Sequence, residues 1–291
     1  MSAAAVLLTV LLAQAPYVRL QTVNSREVTH CLWWPVAPLE LRVHQDGSPE
    51  VEGETEFAAI SRSLQTWKTE FDSCASLPIS EGPRTANRWI GYNLKSPAAN
   101  ENLVLFRQGG LCKQVVPDSD PCWDESAFYC ANLHDCWPHG AGAFAITTNT
   151  FNAESGRVFD SDVELNDGTF RFTATVATTP LCVAPNFENC VSTDVENTMT
   201  HEFGHVFGLN HDRARAGSTM YPEASVGATF MRDLDPGSQQ FACEAYPLGL
   251  PPRDCVLETL DPDLGRSHCG AVGALPGLGL LLSALRRRRR G

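Results

Sequence analysis

The run His201-Glu202-Phe203-Gly204-His205-Val206-Phe207-Gly208-Leu209-Asn210-His211 restricts this chain more than any other stretch. At ~3.6 residues per turn, helical residues four apart differ by roughly 40° in direction, so His201 and His205 aim at a common point. Two imidazoles so placed can share one cation. Glu202 stands about 100° round the axis from His201, off line for a third ligand but within reach of a water at that cation. That is the place of a general base. Gly208 sits where a helix can end in the left-handed conformation and the chain can turn back, bringing in His211 as third ligand. Three protein ligands leave a fourth tetrahedral position for water, which separates a catalytic zinc site from a closed structural one. Zinc draws the pKa of such a water toward ~7, and Glu202 would take its proton and pass it to a leaving amine. The competing reading is an amphipathic helix with structural histidines; the glycine and third histidine at fixed offsets argue against coincidence.

The flanks support a helix. Thr193, followed three residues later by Glu196, reads as a capping box, which predicts a helix from about Asp194 to Gly208. Val195, Met199, Phe203 and Val206 give it an apolar face. A second signal follows in Ser218-Thr219-Met220-Tyr221-Pro222.

Together these stretches resemble the metzincin zinc proteases, and among them the matrixins. The resemblance implies that Met220 forms the methionine turn beneath the metal without ligating it, and that Tyr221 and Pro222 begin the wall of the specificity pocket. Astacins and serralysins place a zinc-binding tyrosine where this chain has Pro222, so a tyrosine ligand is not implied. Asp212, directly after the third histidine, departs from the serine usual in matrixins and matches adamalysins. The implied fold is α+β, the zincin or metzincin fold. It has a twisted, mostly parallel sheet, long helices including the active-site helix, and a small C-terminal subdomain holding the Met-turn. The implied activity is zinc-dependent peptide-bond hydrolysis.

Eleven cysteines without a C-x-x-C pair indicate disulfides and an oxidising, extracytoplasmic compartment. Cys182–Cys190 and Cys243–Cys255 are candidate local pairs; the connectivity stays open. A net charge of −12 and a pI near 5.1 disfavour nucleic acid as partner. The apolar run Ala3 to Leu12, closed by Ala13-Gln14-Ala15, reads as a secretory signal peptide over 1–15. Residues 16–29 read as a flexible N-terminal segment, 30–250 as the catalytic domain and 251–268 as a linker. The matrixin latency segment P-R-C-G-x-P-D has no counterpart here. In the tail, 269–291, Cys269-Gly270 precedes an apolar run and then Arg286 to Arg290. That run would rise ~22 Å as a helix, short of the ~30 Å hydrocarbon core. The order resembles the C-terminal sorting signal of myxobacterial surface proteins, implying a secreted or surface-anchored bacterial protein that meets the membrane only through its tail.

Elsewhere, Trp33 to Pro35 with Leu39–Val43 predict a first strand and Glu54 to Phe71 a long helix. Trp89–Tyr92 and Leu103–Phe106 predict further strands. Residues 108–140, with Cys112, Cys122, Cys130, Cys136, His134, Asp135 and His139, read as a disulfide-stapled loop, a second metal site being the alternative. Gly142–Thr147 and Val158–Asn166 predict a strand pair. By resemblance the first is the edge strand above the cleft, so Ala143, Phe144 and Ala145 would take up an extended peptide as an added strand. The alternating acids Asp160, Asp162 and Glu164 read as a solvated face, with a Ca2+ site as the alternative. Residues 167–192 read as a hairpin and loop, Glu223 to Gly227 as the primed-side wall, and 230–246 as holding a closing helix. The reading is a monomeric enzyme on protein or peptide substrates. Its rivals are a zinc-stabilised adhesion module without proteolysis and an amidase acting on cell wall.

Overall fold

The computed structural model describes residues 16–178 and 180–255. The signal-peptide and tail expectations, and most of the linker, lie outside these residues. Two short strands, β1 (Gln21–Val23) and β2 (Thr29–Cys31), pair antiparallel ahead of the core. The core sheet then draws on β3 (Leu39–Val43), β4 (Ile79–Glu81), β5 (Asn102–Phe106), β6 (Ala145–Phe151) and β7 (Val158–Leu165). Its order is β4-β3-β5-β7-β6, parallel throughout except for the antiparallel pair of β6 with β7 at the edge. The fold is thus mixed α+β on a mostly parallel central sheet.

Alternation in Leu39-Glu40-Leu41-Arg42-Val43 sends the three apolar side chains to one face. Helix α1 (Thr55–Cys74) covers that face with Phe57, Ile60, Leu64, Trp67 and Phe71, all buried in one cluster. Burying a side chain of this size contributes roughly 1.5–3 kcal/mol. Helices α2 (Cys112–Val115) and α3 (Ala127–His134) belong to the excursion between β5 and β6, held by Cys112–Cys136 and Cys122–Cys130. The pair β8 (Phe172–Thr173) and β9 (Thr193–Asp194) brackets a loop closed by Cys182–Cys190, and leads into α4 (Val195–Phe207). Helix α5 (Pro236–Ala245), capped by Asp235, closes the fold against α1. Among the described residues no helix is long and apolar enough to cross a membrane.

Several expectations are corrected. Trp89–Tyr92 forms no strand: Asn132 takes the place of a ladder neighbour, accepting from Ile90 N at 3.1 Å and donating to Ile90 O at 3.0 Å. Gly91, at φ 98°, then breaks the extension. Trp33 to Pro35 stays outside the sheet, since Trp33 bridges to the turn before β7. The lead-in 16–29 is strand-bearing and docked, because its backbone groups find partners on the far end of α4. Cys243 and Cys255 do not bond to each other; Cys74–Cys243 staples α1 to α5, and Cys31–Cys255 ties β2 to the end of the described chain. The five disulfides among the described residues mark an oxidising environment.

The acids of β7 do not form a solvated face. Asp160, Asp162 and Glu164 are all at most 2% exposed. Glu164 is paired with Arg107 at 2.7 Å and His139 at 2.8 Å. Asp162 accepts backbone N–H bonds from Gly91 and Leu103. Burial, then the Asp160 charge, pushes the Asp162 carboxyl well up; burial takes Asp160 to about 6.

Candidate metal centre

Helix α4 begins at Asp194, whose carboxylate accepts from Asn197 N at 2.7 Å and is clamped by Arg232 at 2.6 Å. The predicted capping box is therefore displaced by one residue. Thr193 is used in β9, and Glu196 reaches instead to Arg62 at 2.7 Å. Nearly every residue of α4 is buried. Gly204 allows the close packing: a Cβ there would stand 2.3 Å from Met220 Sδ and 3.3 Å from Trp67 Cζ2. Met220 lies directly against the helix that carries the histidines.

At its other end α4 stops at Gly208, whose φ of 110° is left-handed, and Leu209 N returns to Gly204 O at 2.8 Å. The exposed carbonyls of the last turn all find partners. Asn149 Nδ2 donates to His205 O (3.2 Å), Trp34 Nε1 to Val206 O (2.7 Å), Tyr246 Oη to Phe207 O (2.7 Å) and Leu20 N to Gly208 O (2.8 Å). Asn210 N donates to Val18 O at 2.8 Å, so the lead-in segment grips the chain on both sides of the reversal that delivers His211.

The structure brings His201, His205 and His211 together, with one ligand atom from each lying within 4.8 Å of the others. His201 Nδ1 faces Thr219 O at 2.7 Å and His205 Nδ1 faces Leu209 O at 2.8 Å. Each carbonyl holds the proton on Nδ1 and leaves the Nε2 lone pair free, as a metal-binding histidine requires. His205 Nε2 and His211 Nε2 are 3.1 Å apart. Two nitrogens each ~2.0–2.1 Å from one tetrahedral ion would lie ~3.3 Å apart, so the donor set fits zinc. Burial first, then the mutual charges, pushes His201 well below the ordinary imidazole range and His211 to about 3. Burial also lowers His205. All three are therefore neutral near pH 7, the form that ligates.

Glu202 is 5% exposed, and its Oε2 accepts from Thr147 Oγ1 at 2.6 Å. Burial raises its carboxyl to about 7 against that hydrogen bond and the His139 charge. Such a group can both take and return a proton near neutrality. The Met220 side chain packs at Gly204 and its carbonyl accepts from Asp212 N at 2.8 Å, while the preceding Thr219 carbonyl orients His201. Asp212 is buried and paired with Arg215.

Of the residues read as substrate-contacting, Ala145 opens β6, the last strand of the sheet among the described residues. Ala143 and Phe144 precede it, their carbonyls taken up by Asn166 at 3.1 and 2.8 Å. Tyr221 and Pro222 are half-buried beyond the methionine. Sequence reasoning missed Thr147 and Asn149, though polar residues at alternate positions of an edge strand beside a helix are a signal. Two other groupings, Glu70/Cys74/Cys243 and Asp120/Cys122/His134, rest on cysteines already in disulfides, so the second-metal alternative loses its thiolates. No protein-family model matches the chain, and no curated protein matches it.

Proposed function

We propose that this chain is a zinc-dependent endopeptidase of the metzincin type, matrixin-like, acting as a monomer outside the cytoplasm on extended peptides. One observation carries the reading. Three neutral imidazoles, His201 buried and His205 and His211 half-buried, converge, two with their outer nitrogens fixed by backbone carbonyls, next to a buried carboxyl whose pKa is raised to about 7. Zinc bound by His201, His205 and His211 would supply Lewis acidity, making water a nucleophile and polarising the scissile carbonyl. Substrate would lie along β6, hydrogen-bonding through its backbone as an added strand. Glu202 removes the proton of the attacking water and carries it to the amide nitrogen, which leaves as an amine. Tyr221 and Pro222 bound the pocket for the side chain that follows the cut.

The test is cleavage of a peptide library by purified protein, with and without a chelator, followed by zinc add-back. Loss on chelation and recovery with zinc are expected. A zinc-loaded protein that cuts no peptide would refute the reading, in favour of a binding module if it also leaves cell wall intact and of an amidase if it does not.

A further inference from the structure

The hydroxyl beneath the carboxylate has no counterpart in the reading so far. Thr147 stands opposite Val163 in the β6–β7 register, and Asn149 stands opposite Ser161. Directly paired residues share a face of the sheet. Thr147 and Asn149 therefore share the face of Val163 and Ser161, which their hydrogen bonds place against α4, while Ile146, Thr148 and Thr150 lie on the side of the buried acids. An inward position on a core strand ordinarily carries an apolar residue. Here both carry polar groups, and both reach α4. Thr147 Oγ1 lies 2.6 Å from Glu202 Oε2 and 3.2 Å from Glu202 O, and Asn149 Nδ2 lies 3.2 Å from His205 O. A hydroxyl has one hydrogen, and the shorter, charge-assisted contact claims it.

We propose that Thr147 is a positioning residue: its hydroxyl, delivered by the edge strand, fixes the Glu202 carboxylate relative to the three imidazoles. Three features support this. The carboxylate is 5% exposed, and Thr147 is its one hydrogen-bond partner among the described residues. The threonine is β-branched, so its χ1 is restricted and the hydroxyl direction is set by the strand. Its contact also joins the strand that would bind substrate to the group that would move the proton, so the two keep one spacing.

The inference leans on the endopeptidase reading only for its kinetic arm. Thr147→Val removes the hydroxyl and keeps the branched shape; Thr147→Ser keeps the hydroxyl. Thr147→Val should lower kcat by about tenfold or more, inside the ~10²–10⁴-fold that a positioned general base supplies. KM should stay within about twofold and zinc content should be unchanged, while Thr147→Ser stays within about threefold of wild type. Independently of activity, crystals of the metal-free proteins should show the Glu202 side chain in its original rotamer in Thr147→Ser and displaced in Thr147→Val. If Thr147→Val does not fold, Thr147→Ala against Thr147→Ser gives the same contrast. Wild-type kcat in a folded variant without the hydroxyl, or an unmoved Glu202 in its crystals, would overturn the proposal and leave the endopeptidase reading intact. A wild-type protein with no peptidase activity but a displaced Glu202 in Thr147→Val would do the reverse.

Discussion

An imidazole ligates a cation only when neutral, and a carboxyl relays protons near neutrality only when its pKa is raised; burial does both in α4. The same force acts on residues with no part in the site. Asp167, which accepts from Ser48 Oγ at 3.0 Å, is pushed up to about 7 by burial against that hydrogen bond, with the Glu50 and Glu56 charges adding to the rise. Its folded pKa exceeds the unfolded value of ~3.9, so the folded state binds the proton more tightly. The stability this contributes is fully present below about pH 4 and is lost as pH rises through about 7. Asp167→Asn should therefore melt higher than wild type at about pH 8 and flatten the decline between about pH 4 and 8. Thermal unfolding across that range checks it; parallel curves would contradict the assignment. The acids of β7 teach the same lesson. Period two placed Asp160, Asp162 and Glu164 on one face correctly, but only their neighbours, Arg107 above all, decide whether that face is wet.

At the scale of elements, α4 is held at both ends. Its start has the Asp194 cap, the Arg232 and Arg62 ion pairs and a bond from Met231 N to Asn197; its end has partners from β6, the Tyr246 hydroxyl after α5, the Trp34 side chain and the lead-in segment. The reversal after it depends on Gly208. An alanine there would have to adopt φ 110° and set its Cβ 2.9 Å from Leu32 O. Gly208→Ala should cost about 1–3 kcal/mol of stability. It should also weaken zinc binding through His211, while His201 and His205 stay in place. Denaturant unfolding and chelator competition read the two effects; unchanged zinc affinity would show that the third ligand does not need this turn. Thr193 and Asp194 are both good N-cap residues and both lie in β9, but it is the Asp194 carboxylate that accepts from Asn197 N and meets Arg232.

For the whole molecule, the long-range disulfides matter more than the short ones. Cys74–Cys243 spans 169 residues and joins α1 to α5, whereas Cys122–Cys130 spans 8 within one excursion. Loop-closure entropy grows with span, typical values being about 2–4 kcal/mol per bridge. The double variant Cys74→Ser/Cys243→Ser should lose more stability than Cys122→Ser/Cys130→Ser, as measured by denaturant unfolding; an equal loss would mean the long bridge adds little beyond the packing of α5. The convergence of the three histidines, the neighbouring carboxylate, the long helix α1 and the strands β3, β5 and β7 were legible because helical and strand periods act locally, fixing direction within a few residues. The pairing of Cys31 with Cys255, the grip of Val18 and Leu20 on the Gly208 turn, the burial of Glu164 beneath the excursion and the hydroxyl of Thr147 on Glu202 were not. Each joins residues far apart in sequence, and such contacts follow from how the elements pack, which no local period encodes.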